Sequence, residues 1–461
     1  DQCGSRGLGD VYKRQLLSAL LTSFADDFTA ANSSKNPAES EAVLNSYLAE
    51  IEAWSQSIGL SIAPDKSSVT LFTSHNRESK DHPQIFLNNE LLPLKKSVKI
   101  LGVTFDTHFT FSHHISDIIS RASSRLNVLK SLAGSDWGAQ KETMLFTYRT
   151  ILRPILTYAC PIWFPNLSNS NILKLQRIQN QALRICLGVL QMSSFSHLHS
   201  ESKYLPVKEH LTLLSSQFLA SALRPDHPAH PSVTRPPSSR SQKHTLQSLC
   251  HDSVSPFLLP DGTVRPSTYK LILENLHHMA VHHSIQNLEL NPILNTHPPE
   301  ISKSEIHLPR PYRSTLSQLR SNYCSKLKSY QHRIDPEKYP SPACPHCSLS
   351  DDTTIHLFNC PANPTTLSPI DLWHYPINVS KFLANHPSFS DLPPLPPLSK
   401  DPTHFSDSWL TVLPDPPPDP PPAPPPPDPP PPDPPPPDPP SPNSPPPDPP
   451  PPDPPPPDPP P

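Results

Sequence analysis

Apolar residues in the first hundred positions fall in short clustered runs, and beyond about residue 110 they settle into a helical period. The stretch Leu20 to Ala30 is apolar on both sides of Asp26-Asp27, the pattern of a hairpin with an acidic turn. Asn36-Pro37 can open a helix, with Glu39 and Glu41 in its first turn. Val43, Tyr47, Ile51 and Trp54 follow at i, i+4, i+8 and i+11, predicting an amphipathic helix over 38–58 that Gly59 ends. Strands are expected at 68–73, 85–87 and 98–105, the last with Gly102 in its interior. A helix over 113–132 gathers Ile115, Ile118, Ile119, Ala122, Leu126 and Leu129 on one face, with Gly134 past its end. Helices follow over 141–158, kinked near Pro154, and over 170–187, closed by Gly188. Two more are expected over 269–283 and 315–330, the second carrying Arg320, Lys326 and Lys328. Pro225, Pro228, Pro231, Pro236 and Pro237 mark 225–245 as a linker. The class is α+β.

Composition changes the ends of this picture. Of 461 residues, 71 are proline, and from Pro414 the chain is almost pure Pro and Asp without Lys or Arg. Removing the eight Asp of that tail from the 41 acidic residues leaves 33 against 37 basic, so the body is near +4 rather than −4. A mildly basic body fits a phosphate-rich partner and fits an ordinary soluble protein about as well. From Asp428 the tail repeats every five residues, a sequence that forms extended polyproline II and builds no core. It could bind SH3- or WW-type partners; the preferred reading is a tandem repeat read through by the open frame. Among the cysteines (3, 160, 186, 250, 324, 344, 347 and 360) no secreted disulfide pattern stands out, which points to a reducing compartment. The apolar run Leu16 to Leu21 is far too short to span a bilayer. The expectation is a truncated, soluble chain of the nucleus and/or cytoplasm, without a membrane partner.

Three constellations carry candidate chemistry. Adjacent carboxylates on a tight strand turn, Asp26 and Asp27, suit nucleotidyl transfer, where two Mg²⁺ ions stabilise the attacking oxygen and the leaving pyrophosphate. An exposed acidic turn without function is the commoner case for such a string alone. On the 170–187 helix, Lys174, Arg177 and Arg184 fall within ~80° of one another at about 100° per residue. They form either a stripe for a nucleic-acid backbone or the solvated side of a helix. Cys344, Cys347, His356 and Cys360 give C-x2-C-x8-H-x3-C, three thiolates and an imidazole suited to a closed tetrahedral zinc site. The turn Pro345-His346 lets two sulfurs reach one ion, and His356 and Cys360 share a helical face. Lys326, Lys328 and Arg333 lie nearby in sequence for phosphates.

Order along the chain adds a resemblance. Phe24-Ala25-Asp26-Asp27 resembles the Tyr/Phe-Ala-Asp-Asp catalytic hairpin of reverse transcriptases. Gly59-Leu60-Ser61-Ile62-Ala63-Pro64-Asp65-Lys66-Ser67 is similar to the family's Gly-Leu…Lys-Ser/Thr segment, and Lys99-Ile100-Leu101-Gly102-Val103-Thr104-Phe105 to its Leu-Gly primer grip. Tyr148 to Ala159, Leu175 to Asn180 and Thr353 to Pro361 extend the likeness, in the style of Jockey-like non-LTR elements, over roughly 20–375. The resemblance implies an RNA-directed DNA polymerase with RNA template, DNA primer or target, and dNTPs as partners. By position it makes Asp26 and Asp27 the Mg²⁺ ligands. Lys66 becomes a general acid toward pyrophosphate, or else a surface lysine after a turn. Phe24 becomes a residue beside the primer end, or else a core aromatic, and Gly102 a close approach of backbone to primer. It makes the Cys/His motif a structural zinc finger gripping nucleic acid.

Ser5 to Gln15 resembles an in-frame translated sequencing-library adapter, so residues 1–15 are set aside and native sequence is expected from near Leu16. The expected organisation is a partial palm over 16–110, a helical thumb over 111–224, the linker 225–245, a helical region over 246–340, the zinc motif over 341–375 and a disordered Pro-rich tail over 376–461. The family's further palm Asp, its fingers and its endonuclease are not found in these residues. The 461 residues alone are therefore expected to be inactive, and nucleotide incorporation on a primed RNA template by residues 16–413 would overturn that. The alternative is a non-catalytic RNA- or DNA-binding remnant of a decayed mobile element.

Overall fold

The computed structural model describes residues 19–24, 27–73, 78, 81–134, 138–234 and 245–396; of residues 19–21, 23 and 24 it describes the backbone alone. Asp26, the segment 1–15 and the proline tail from 397 lie outside the described residues. What is described is α+β: three two-stranded antiparallel sheets and a larger helical part.

Strand β1 (Ala19–Phe24) pairs with β2 (Asp27–Asn32) in the register Leu21↔Ala30 and Phe24↔Asp27, the hairpin that the acidic pair predicts. Helix α1 (Pro37–Ser57) starts within a residue of its expected place because its opening is encoded locally. Asn36 Oδ1 accepts the Ala38 amide at 3.1 Å, and Pro37 occupies a position whose N–H would be unpaired anyway. Phe28 of β2 meets Trp54 of α1 edge-on at 6.4 Å. The small hairpin of β3 (Phe86–Leu87) and β4 (Glu90–Leu91) is clamped to α1 by Asn45, which donates to the Gln84 carbonyl and accepts from the Phe86 amide, both at 2.8 Å. Ile85, Leu87 and Leu92 form a core beneath it with Leu44, Leu48, Ile62 and Val69.

Two strand expectations need correction. The run 68–73 contributes a single bridge, Val69 to Leu94. The run 98–105 is a hairpin rather than one strand: β5 (Ser97–Ile100) pairs with β6 (Val103–Asp106) across Leu101-Gly102. Those two residues have φ of +46° and +85°, the double positive φ of a turn that matches strand twist. A glycine inside an apolar run marked a turn here.

Helix α2 (Ser112–Leu132) buries Ile115, Ile118, Ala122, Leu126 and Leu129, the face its period predicts. The expected kink is a π-helical segment, Tyr148–Leu152, between α3 (Lys141–Thr147) and α4 (Arg153–Thr157). Pro154 has no N–H to give, and the Arg153 amide reaches back five residues to the Tyr148 carbonyl. After α5 (Cys160–Trp163), α6 (Asn169–Leu187) opens on Ser168, whose side chain accepts the Asn171 amide, and closes on Gly188 at φ +69°. Leu175, Ile178 and Leu183 of α6 pack with α2 and Trp163 in the largest core. Helices α7 (Phe195–Ser202) and α8 (Val207–Ala222) follow, and α9 (Leu246–Val254) and α10 (Tyr269–Gln286) pack on α8 around Leu219, Cys250, Ile272 and Leu276. The expected linker contains a short helix at His230–Thr234, and its remainder 235–244 lies outside the described residues.

The helix expected over 315–330 is two helices, α11 (Arg310–Arg320) and α12 (Lys328–Ile334). Asn322 at φ +63° ends the first, while Cys324 and Leu327 are buried between them. They share a further core with Leu357 and Phe358 of α13 (Thr354–Asn359), Trp373 of α14 (Asp371–His374), and Val379 and Leu383 of α15 (Pro376–Ala384). The tail boundary at 376 is thus too early: residues 376–384 fold because Pro376 starts a helix with a buried apolar face. Among the described residues no helix is long and apolar enough to cross a membrane.

Candidate functional site

The Cys/His motif assembles as its spacing predicts. The turn over residues 345–347 brings Cys347 back beside Cys344, and the Ser348 amide donates to the Cys344 carbonyl at 2.9 Å. Thr353 caps α13 by accepting the His356 amide, which sets His356 one turn before Cys360. One ligand atom from each of Cys344, Cys347, His356 and Cys360 then lies within 4.8 Å of every other. Cys344 Sγ and Cys360 Sγ are 3.8 Å apart, and Cys347 Sγ and His356 Nε2 3.2 Å. A tetrahedral ion with sulfur ligands at ~2.3 Å would hold those sulfurs about 3.8 Å apart, so the donor set fits a metal of that kind. Cys344, His356 and Cys360 are buried and Cys347 is partly exposed. The Leu349 amide, 3.5 Å from its sulfur, lowers the Cys347 thiol pKa, whereas burial raises that of Cys344.

Sequence reasoning missed what anchors this cluster. Asp352 is buried, accepts the Lys328 amide at 2.8 Å with its carboxylate and the Ser329 hydroxyl at 2.6 Å with its carbonyl, and so fastens the motif to the start of α12. Thr354 Oγ1 donates to the Leu319 carbonyl at 3.3 Å. The cations expected to serve phosphates have protein partners here. Lys326 pairs with Asp391, Lys328 Nζ lies 4.8 Å from the Tyr339 ring centroid, and Arg333 lies over Tyr323 at 5.5 Å.

At the first hairpin, Asp27 is exposed and paired in register with Phe24, and Asp26 and the Phe24 side chain lie outside what is described. Lys66 is exposed at the end of a single 3-10 turn, Pro64–Lys66. Gly102 meets a protein partner: a Cβ there would sit 3.3 Å from Tyr158 Cε1, and the Tyr158 hydroxyl donates to the Leu101 carbonyl at 2.9 Å. On α6, Lys174 and Arg177 are exposed, Lys174 donating to Asn171 Oδ1 at 3.1 Å. Arg184 is half-buried and donates to the Ser193 carbonyl at 3.2 Å.

A second feature had no sequence signal. Lys141 donates to Glu201 at 3.0 Å and to Glu305 at 3.3 Å; Arg320 donates to Glu201 at 2.9 Å and pairs with Glu305; Arg313 pairs with Glu142 and lies 3.9 Å from Glu305. Arg320, Glu201 and Glu305 are almost wholly enclosed. Burial alone would raise both carboxyls, but Arg320 and Lys141 hold them below the usual carboxylate range. Arg310 adds bonds to the carbonyls of Ala139 at 2.6 Å and Ile185 at 3.0 Å. Helices α3, α6 and α7 are thereby joined to α11.

Comparison with known proteins gives relatives of one kind. The chain is 26% identical over 220 residues to the probable RNA-directed DNA polymerase from transposon X-element of Drosophila melanogaster, covering 46% of this chain and 24% of that protein. It is 27% identical over 209 residues to the corresponding protein of transposon BS, covering 45% and 23%. Against the polymerase from mobile element jockey of the same fly, it is 24% identical over 169 residues, covering 37% and 18%. The chain thus spans about a quarter or less of the length of the curated relatives it matches. No family model and no solved structure matches it.

Proposed function

From the premise that its curated homologues are RNA-directed DNA polymerases of non-LTR retrotransposons, we propose that this chain carries part of such a polymerase, from the catalytic hairpin of the palm onward. The match to the X-element polymerase is the observation that carries the reading. On it, β1 to β6 with α1 are palm, α2 to α8 are thumb, and the Cys/His lobe is a nucleic-acid grip held by a structural zinc ion.

Asp27, exposed at the start of β2, and its sequence neighbour Asp26 would hold Mg²⁺ in this reading. Bound there, the two ions supply charge for the attacking 3′-oxygen and the departing pyrophosphate. Lys66, exposed, is the general acid toward that pyrophosphate in this reading. Gly102 and Phe24 sit on the primer side, and Lys174, Arg177 and Arg184 on the template–primer backbone. Cys344, Cys347, His356 and Cys360 hold zinc, which fixes the lobe rather than reacting. On this reading the chain binds a primed RNA template.

Fluorescence anisotropy with a primed RNA template tests this. Binding that outlasts excess unrelated protein and weakens steeply with salt is expected. A chain that fails to bind the template even at low salt would contradict the reading.

A further inference from the structure

The described cysteines differ in what can reach them. Cys160, Cys186, Cys250 and Cys324 are each at most 1% exposed. Burial pushes the thiols of Cys160, Cys186 and Cys324 up to about 12, which leaves them inert near neutral pH. Cys344 and Cys360 are buried within the Cys/His cluster. Cys347 alone among the described cysteines is partly exposed, and Ser348, Leu349 and Ser350, which follow it, lie open to solvent.

That sulfur also sits within reach of a partner thiol. The sulfurs of Cys344, Cys347 and Cys360 lie within 4.8 Å of one another. Only Pro345 and His346 separate Cys344 from Cys347, and the Ser348 amide, 2.9 Å from the Cys344 carbonyl, holds that loop closed. Cys360 stands past the end of α13, a separate segment that Leu357 and Phe358 fix in the core. Joining Cys347 to Cys344 closes the shortest loop and leaves α13 where it is. A sulfur that solvent reaches, with a second thiol beside it to resolve the product, is the arrangement of an oxidation-sensitive site.

We propose that Cys347 is an oxidation site: hydroperoxides oxidise it, Cys344 resolves the product as a disulfide, and the lobe thereby loses two metal ligands reversibly. Cys347 Sγ attacks the peroxide O–O bond, which breaks. One oxygen stays on sulfur as a sulfenic acid and the other leaves as water or an alcohol. Cys344 Sγ then attacks the Cys347 sulfur and expels its oxygen as water, forming the disulfide. The two thiols give two electrons to the peroxide and their two protons to the departing oxygens. A disulfide offers no thiolate, so His356 and Cys360 alone cannot close a four-ligand site. The loss of nucleic-acid grip that follows rests on the function proposed above; the disulfide does not.

The test takes the full chain, purified under reducing conditions and analysed for zinc, with hydrogen peroxide as the oxidant. Cleavage before Asp351 separates Cys344 and Cys347 from Cys360, so mass spectrometry of the unreduced digest reads the pairing. The expected result is an internal disulfide in the peptide bearing Cys344 and Cys347, with Cys360 still open to alkylation. Zinc should reach a chromogenic chelator as that disulfide forms, and a dithiol should reverse it. Dimedone at early times should label Cys347 and neither Cys344 nor Cys360. Cysteines that all stay alkylatable, or a disulfide that includes Cys360, would overturn the proposal. A chain that purifies without zinc would contradict the zinc reading, and the disulfide mapping would still decide the oxidation site. Anisotropy on the primed RNA template should fall with the disulfide and recover with the dithiol. Unchanged binding beside a mapped disulfide would contradict the lobe as a grip and leave the oxidation site standing.

Discussion

Arg320 Nη1 and Glu201 Oε1 lie 2.9 Å apart, joining positions separated by 119 residues in a fully enclosed ion pair. Arg320 also donates through Nε to the Leu372 carbonyl at 3.0 Å, so a single side chain ties α7, α11 and α14 together. Removing one partner leaves the others charged and buried. Arg320→Met should cost about 3–5 kcal/mol, read as a lower midpoint in urea unfolding. A change under about 1 kcal/mol would mean that the network adds little to stability.

Burial sets a pH dependence beside this network. The pKa values of His197 and His199 are each pushed down from the ordinary 6.5 to about 4, both by burial. The unfolded chain therefore takes up protons below its ordinary histidine pKa that the folded chain refuses. Stability from these two groups is complete above about pH 6.5 and falls toward pH 4, by roughly 1.4 kcal/mol per unit for each histidine. Glu201 and Glu305, held below the usual carboxylate range, add losses lower still. Melting temperature against pH checks this, and His197→Gln should flatten the upper part of the curve.

Gly102 combines a φ of +85° with the Tyr158 ring 3.3 Å from where a Cβ would sit. Gly102→Ala should cost about 1–2 kcal/mol from backbone strain and contact together. Tyr158→Phe, which loses an exposed hydrogen bond to Leu101, should cost under about 1 kcal/mol. Equal effects in denaturant unfolding would show that the turn is not strained against the ring.

These cases also show what a sequence makes legible. The start of α1 is readable because Asn36 and Pro37 are adjacent, and the end of α6 because Gly188 follows its last apolar residue. The Cys/His cluster is readable for the same reason, since its spacing and the Thr353 cap act within a few residues. The β5–β6 turn is not, because an apolar run looks alike whether it continues or folds back at Leu101-Gly102. Lys326 and Arg320 look like solvent-facing cations on a continuous helix, yet a break at Asn322 sends one to Asp391 and buries the other. Charges that meet across such distances leave no local period to read.

The metal cluster predicts a further pair of results. The purified chain should contain zinc by elemental analysis, and Cys347→Ser should lose it. Because Asp352 links the motif to α12, zinc removal should also raise hydrogen exchange over residues 328–334. Unchanged exchange there after full removal would mean that the lobe keeps its fold without metal.

The most direct measurement puts the acidic hairpin to work in primer extension. Residues 16–396 are fused behind the segment that precedes the matched region in the X-element polymerase, and primer extension is measured on an RNA template. The account predicts extension that Asp26→Asn reduces by at least about a thousandfold, some 4 kcal/mol at ~1.4 kcal/mol per decade. No extension by a fusion whose fold circular dichroism has verified, or extension unchanged in Asp26→Asn, would contradict it.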